Sequence, residues 1–166
     1  MPERYLKAGW AWMPALLSCL SVVAMADPAP ARLEVLDADD EPLVALAMPE
    51  GGRWCLEWNH SVEGFAVLDC YRHDEGRMVL ERSHLPDFAA GLDHVLGRGR
   101  QVSDGQGGYW IEDIDEPVPG NAYVLRVGSM RVDHRLVVGT RRVSLSALAA
   151  GERVTVRLSS ADDARE

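Results

Sequence analysis

Short runs of alternating apolar and polar residues, divided by turn residues, recur along most of the chain and constrain its fold more than any other feature. Examples are RLEVLD from Arg32, RMVLERSH from Arg77 and RVTVRLS from Arg153. A period of two places one face of a strand against a core and the other in solvent. Several such runs without a βαβ pattern predict an all-β single domain, an antiparallel β-sandwich or barrel.

One segment departs from this alternation. Residues 86–108, PDFAAGLDHVLGRGRQVSDGQGG, contain six glycines and almost no strand pattern. Compact domains rarely carry so long a connection without a function. We therefore expect one long glycine-rich loop that binds or gates, with a flexible surface excursion as the alternative. FAAGLDHVL in this segment and SLSALAAG near the C-terminus are the runs that could form a short helical turn.

The N-terminal 26 residues are typical of a secretory signal peptide. Arg4 and Lys7 make a mildly basic start, an apolar run follows, and Ala24-Met25-Ala26 forms a small-x-small ending. Export to the periplasm is therefore predicted. The alternative is an uncleaved membrane anchor facing the periplasm, because the apolar run approaches the length that spans a bilayer.

With cleavage predicted after Ala26, the sequence is interpreted as three segments. Residues 1–26 are the signal peptide, residues 27–159 form the β-domain, and the polar end at residues 160–166 is expected to fray. The net charge of the chain is −9. An acidic surface repels phosphate backbones and anionic headgroups, so nucleic acid is not an expected partner.

Two cysteines, Cys55 and Cys70, remain in the β-domain and enclose the sequence LEWNHSVEGFAVLD. A pair of cysteines in an exported domain predicts a disulfide, and two free buried thiols are the alternative. Strands 54–58 and 67–71 would bring the two cysteines opposite each other, and the bridge would restrain the NHSVEG turn. This register also predicts three further cross-strand pairs: Trp54–Tyr71, Glu57–Leu68 and Trp58–Val67.

The polar residues of that turn do not have the spacing of a catalytic site. His60 and Ser61 are neighbours, so in an extended chain they point to opposite faces, and Ser61 has no G-x-S-x-G elbow. No H-x-x-x-H or H-E-x-x-H spacing occurs, so neither a metal nor another cofactor is predicted. No catalytic residue is assigned, although a small envelope hydrolase or metal-binding protein centred on His60 and Glu63 remains the alternative.

Binding requires less of these residues than catalysis does. The NHSVEG turn could present polar groups beside an aromatic residue such as Trp58 or Trp110. Arg98 or Arg100 could pair with the carboxylate of a small organic anion or with an acidic patch on a partner, and solvated loop charge is the alternative. An exported binding protein, not an enzyme, is therefore the preferred interpretation.

The WNHSVE run, followed by the acidic strand LDCY, resembles the DUF1850 domain. FAAGL resembles its glycine-alanine-glycine-leucine segment, and GYWIEDI and RVDHRL resemble its closing strands, so the resemblance covers roughly residues 53–138. Ala89 replaces the usual first glycine, and Phe65 stands where a proline is common nearby.

The DUF1850 resemblance implies a small exported protein, often encoded beside or fused to TRAP transporters of the TAXI type. It therefore implies an accessory role, with TRAP transporter subunits as possible partners, and it assigns no catalytic residue. It leaves the oligomeric state open. The residues that match its motif positions are the candidate binding residues: His60, Ser61, Glu63, Asp69 and Gly91.

Overall fold

The structure is a computed structural model that describes residues 30–85 and 97–159. The predicted signal peptide, the candidate residue Gly91, the FAAGLDHVL run and the charged tail lie outside these residues. Within them, no helix is both long enough and apolar enough to cross a bilayer.

Almost all regular structure in the described residues is β-strand, as the alternation predicts. A short helix, α1 (Leu145–Ala149), starts where Ala147 N donates a hydrogen bond to Ser144 Oγ at 3.1 Å, which confirms the helical turn predicted at SLSALAAG. The strands are β1 (Arg32–Leu36), β2 (Pro42–Ala47), β3 (Arg53–Asn59), β4 (Ala66–Asp74), β5 (Arg77–Leu85), β6 (Arg100–Ser103), β7 (Tyr109–Glu112), β8 (Glu116–Pro117), β9 (Ala122–Arg126), β10 (Arg135–Val138), β11 (Arg141–Ser144) and β12 (Arg153–Ser159).

The strands form two antiparallel sheets that pack face to face. The small sheet has the order β2-β1-β12-β9, and the large sheet has the order β11-β10-β3-β4-β5-β7-β6, with β8 paired to β5. Neither sheet closes on itself, so the fold is a β-sandwich and the all-β prediction is confirmed.

The core lies between the inner faces of the two sheets. β1 and β12 bury Leu33, Val35, Val156 and other apolar residues at alternate positions, as a half-buried strand requires. An aromatic column crosses the interface, because Tyr71 of the large sheet stacks on Trp54 at 5.6 Å and on Tyr123 of the small sheet at 5.5 Å between ring centroids.

The expected glycine-rich loop over residues 86–108 is interrupted by a short strand at Arg100–Ser103, which the sequence pattern did not predict. These residues form β6 and pair with β7. Val102 is the only apolar residue of RQVS, so the alternation was too short to detect. The following turn is closed by Asp104, whose Oδ1 accepts hydrogen bonds from Gln106 N at 2.7 Å and Gly108 N at 3.0 Å.

Candidate functional site

The disulfide between Cys55 and Cys70 joins β3 to β4, as the sequence predicts. The two Cα atoms are 4.0 Å apart, which is the close approach of directly opposite residues in antiparallel strands. The predicted pairs of Trp54 with Tyr71, Glu57 with Leu68 and Trp58 with Val67 are confirmed. A disulfide indicates an oxidising compartment, which supports export; export itself stays a prediction.

His60 stabilises its own turn. Its backbone N donates to Phe65 O at 2.7 Å, its ring stacks on Phe65 at 5.1 Å, and its Nδ1 accepts a hydrogen bond from Glu63 N at 3.2 Å. Ser61 and Glu63 are exposed at the tip of the turn. The Nδ1 lone pair of His60 is occupied by a backbone donor. His60 therefore stabilises the turn and does not offer Nδ1 to a ligand.

The turn is also attached to the connection between β9 and β10. Asn59 N donates to Val132 O at 2.6 Å, and Asn59 Nδ2 donates to Arg131 O at 3.3 Å. Val62 at the tip of the turn is 72% exposed, and Met130 of the neighbouring connection is 58% exposed. The motif region therefore forms one end of the sandwich, with two apolar side chains in solvent.

Asp69 lies on the opposite face of β4 from the disulfide, because side chains alternate along a strand. It is paired with Leu56 on one side and with Ser83 on the other, so it points toward the space between the sheets. Ser83 Oγ donates a hydrogen bond to Asp69 Oδ1 at 2.6 Å. That length is typical of a hydroxyl bound to an ionised carboxylate.

Asp69 and Ser83 line a pocket of about 210 Å³ at the side of the core. Arg98 stands in the same lining, where its Nε donates to Glu116 Oε2 at 2.8 Å. The remaining walls are apolar and come from Trp58, Val67, Leu85 and Ile111. A concave apolar surface with a few convergent polar groups is the usual form of a small-molecule site.

The electrostatics of the pocket are dominated by desolvation. Burial raises the pKa of the Asp69 carboxyl, while the Ser83 hydrogen bond and the charge of Arg98 act in the opposite direction. Burial and the nearby Asp69 carboxylate also raise the pKa of Tyr71. In the described part of the chain, Tyr123 Oη is buried without a hydrogen bond of standard geometry. The inner face of the large sheet and the facing Tyr123 therefore place a carboxyl and two phenol hydroxyls in an otherwise apolar interior, where buried polar groups normally need hydrogen-bond partners.

On the outer face of the same sheet, Glu57 is the centre of a charge network. Glu57 is 8% exposed. Its Oε1 accepts a hydrogen bond from Arg135 Nη2 at 2.9 Å, and its Oε2 accepts one from Arg142 Nη1. Arg135 also donates to Asp133 Oδ2 at 2.9 Å. Each charge is matched by an opposite one, so this network is a structural brace across β3, β10 and β11.

Sequence reasoning missed a histidine–aspartate pair on this outer face. His84 Nε2 lies 2.9 Å from Asp104 Oδ2, and the His84 ring lies 4.8 Å from that of Trp110. Arg82 covers Trp110 with its guanidinium carbon 4.5 Å from the ring centroid. The two partners are twenty positions apart and meet only through the pairing of β5, β7 and β6, so no local spacing pointed to them.

The candidate binding residues are thus divided between two places. His60, Ser61 and Glu63 lie on the end turn, whereas Asp69 lines the inner pocket. Arg100, the alternative partner for a carboxylate, is paired with Glu112 and Asp113. Across residues 30–85 and 97–159, no three histidine, cysteine, aspartate or glutamate side chains are grouped as metal ligands would be.

A family model described as "Domain of unknown function (DUF1850)" matches residues 55–145. The chain belongs to the DUF1850 family. The match contains the disulfide, the NHSVEG turn, Asp69 and β10, so the resemblance seen in the sequence is confirmed. Neither the curated proteins nor the solved structures contain a match to this chain.

Proposed function

We propose that this DUF1850 protein is an exported binding protein that serves a solute transporter, and that the Asp69 pocket is its ligand site. The observation that carries the proposal is a carboxylate placed on the core side of a central strand, beside an open apolar pocket. A carboxylate that burial desolvates destabilises a fold, and such groups are concentrated at functional sites.

A TRAP transporter of the TAXI type is the partner that we propose. The support is membership of the DUF1850 family together with a disulfide suited to an oxidising compartment. A small organic ligand that carries a carboxylate is the proposed ligand class, because Arg98 in the pocket lining could pair with that carboxylate. The end turn with Ser61, Val62 and Glu63 is then the surface available to a transporter subunit.

Two experiments test the accessory role. Tagged protein is recovered from solubilised envelopes, and copurifying subunits are identified by mass spectrometry; uptake of organic anions is measured in a deletion strain. We expect a TRAP subunit in the pull-down and reduced uptake that the wild-type protein restores. Recovery of no transporter subunit, with uptake intact in the deletion strain, would contradict the proposed partner.

A matched pair of variants separates the two surfaces. Val62→Ser, on the exposed turn, is expected to weaken copurification of the subunit without changing ligand binding. Asp69→Asn, in the pocket, is expected to change ligand binding and leave copurification intact. Purified protein analysed by mass spectrometry with and without reductant would establish the disulfide and the start of the mature chain.

A further inference from the structure

The negative pole of the inner pocket is the carboxylate of Asp69. Among the described residues, Ser83 Oγ donates a hydrogen bond to its Oδ1. An ionised carboxylate can accept several hydrogen bonds, and in a partly desolvated site it favours a donor that carries positive charge. The Asp69 carboxylate is therefore complementary to a cationic or strongly donating group of a ligand.

The walls around Asp69 set the size and the character of the remainder of the ligand. Trp58, Val67, Leu85 and Ile111 present apolar surface, so the ligand needs an apolar portion. A pocket of about 210 Å³ is smaller than the roughly 300–1,000 Å³ of most ligand pockets, so the ligand is small. The indole of Trp58 adds a further preference for a cation, since an aromatic face attracts positive charge.

A simple anion fits this pocket poorly. Its carboxylate would have to enter beside that of Asp69, and like charges at close range in a partly desolvated site repel strongly. Arg98 is the positive charge among the described residues of the lining, and Glu116 already accepts a hydrogen bond from its Nε. The net charge of −9 likewise attracts cations and repels anions at longer range.

We infer that the Asp69 pocket binds a small molecule through an ammonium group, with the ammonium on Asp69 and the apolar body against Trp58, Val67 and Ile111. This deepens the proposed function and rests on it in one respect, that the pocket is the ligand site. An amino acid and a plain amine share this chemistry. In an amino acid the carboxylate would turn toward Arg98, so the organic anion predicted from the sequence would be a zwitterion.

Three probes that share a four-carbon isobutyl unit distinguish these possibilities by titration calorimetry: valine, which has both charges, 2-methylpropylamine, which has the ammonium, and 3-methylbutanoate, which has the carboxylate. We expect valine and the amine to bind and 3-methylbutanoate not to bind. Valine binding about tenfold or more tighter than the amine would assign the carboxylate to Arg98, and equal affinities would identify the ligand as a plain amine.

Variants assign the binding to the pocket. Asp69→Asn keeps the shape of the side chain and removes its charge, and we expect affinity for valine and the amine to fall at least about tenfold. Asp39→Asn, in the exposed turn between β1 and β2, is the matched control and should leave affinity unchanged. A thermal melt of each variant shows that it is folded.

Three results would overturn the inference. Binding of 3-methylbutanoate alone, or binding that Asp69→Asn leaves unchanged, would place the ligand anchor elsewhere while the transporter role could still be recovered in the pull-down. Failure of all three probes to bind at millimolar concentration would remove the ammonium site itself.

Discussion

Asp69 is the residue at which folding and function make opposite demands. Its neighbours on β4, Val67 and Tyr71, alternate toward the core and are buried, so a third apolar residue at this position would extend the inner surface. A carboxylate there loses hydration, and among the described residues the Ser83 hydrogen bond and the charge of Arg98 offset part of that loss. Sites that bind or react often reduce stability in this way.

We predict that Asp69→Asn stabilises the protein at neutral pH. Burial raises the folded-state pKa of Asp69 above its ordinary value of 3.8, so the protonated form favours the folded state. That stability is fully present below about pH 3.8 and is lost as the pH rises through the folded-state pKa. Asparagine is neutral at every pH and keeps an oxygen for Ser83, so its advantage should increase with pH and then level off.

Urea unfolding of the wild type and of Asp69→Asn, repeated from pH 4 to pH 8, measures this difference. Asp39→Asn again serves as the control for loss of one negative charge on an acidic protein. A lower urea midpoint for Asp69→Asn than for the wild type at pH 7 would mean that the ionised carboxylate is net stabilising.

The β3–β4 hairpin is the element that supports both the turn and the pocket. On its outer face the Cys55–Cys70 bridge fixes the register, and because side chains alternate, that register places Trp58 and Asp69 on the inner face. A slip of one residue would exchange the two faces. The disulfide thus helps to keep Trp58 and Asp69 in the pocket, although it lies on the other face of the sheet.

Replacing both cysteines by alanine is predicted to lower the free energy of unfolding by roughly 3 kcal/mol. The bridge closes a loop with a sequence separation of 15, and the chain-entropy model assigns that amount to a loop of this size. Urea unfolding of the double variant, compared with the wild type with and without reductant, measures it. Equal stability of the wild type in both buffers would show that the bridge contributes little.

The charge brace on the outer face gives a second prediction for this element. Glu57→Gln should lower the free energy of unfolding by about 2 kcal/mol, because it leaves Arg135 and Arg142 facing each other near a buried position. The effect is smaller than for a fully buried pair, since the Arg142 side chain is 59% exposed.

Glu81→Gln is the matched control for Glu57→Gln. Glu81 also binds an arginine through both oxygens, but its partner Arg53 has a side chain that is 62% exposed. Exposed pairs of this kind contribute about 0–1 kcal/mol. Similar urea midpoints for the two variants would show that burial of Glu57 adds nothing to its ion pairs.

At the scale of the whole molecule, the family match covers less than the folding unit. It spans residues 55–145, whereas β1, β2 and β12 lie outside it and form three of the four strands of the small sheet. β1 is paired with β12, so the two ends of the described chain meet in this sheet. The buried residues that these three strands contribute are Leu33, Val35, Leu36, Val44, Leu46, Val154, Val156, Leu158 and Ser159.

We predict that a fragment of residues 53–145 does not fold cooperatively, because it exposes the inner face of the large sheet. Residues 30–159, which carry both sheets, should give a single urea transition. Far-UV circular dichroism and binding of a hydrophobic dye would distinguish the two fragments. A sharp transition for the shorter fragment, without dye binding, would show that the large sheet is stable alone.

Local pattern was sufficient for the strands and for one hairpin. Alternation depends on which side chains face the core, and it is visible within a few residues, so the sandwich, the helical turn at Leu145–Ala149 and most strands could be predicted. The cysteine pair added one long-range constraint, and the register of β3 against β4 followed from it. β6 was missed because RQVS contains a single apolar residue.

The sequence by itself determined that the chain is an all-β domain, that Cys55 faces Cys70, and that Asp69 belongs with the DUF1850 motif. Only the tertiary structure decided that Asp69 enters a pocket with Ser83 and Arg98, while His60 supports its own turn. The physical reason is that alternation specifies the face of a residue and not the neighbouring strand. The contacts of Glu57 with Arg135 and Arg142, across 78 and 85 positions, arise from the order of strands in the sheet, which no local pattern contains.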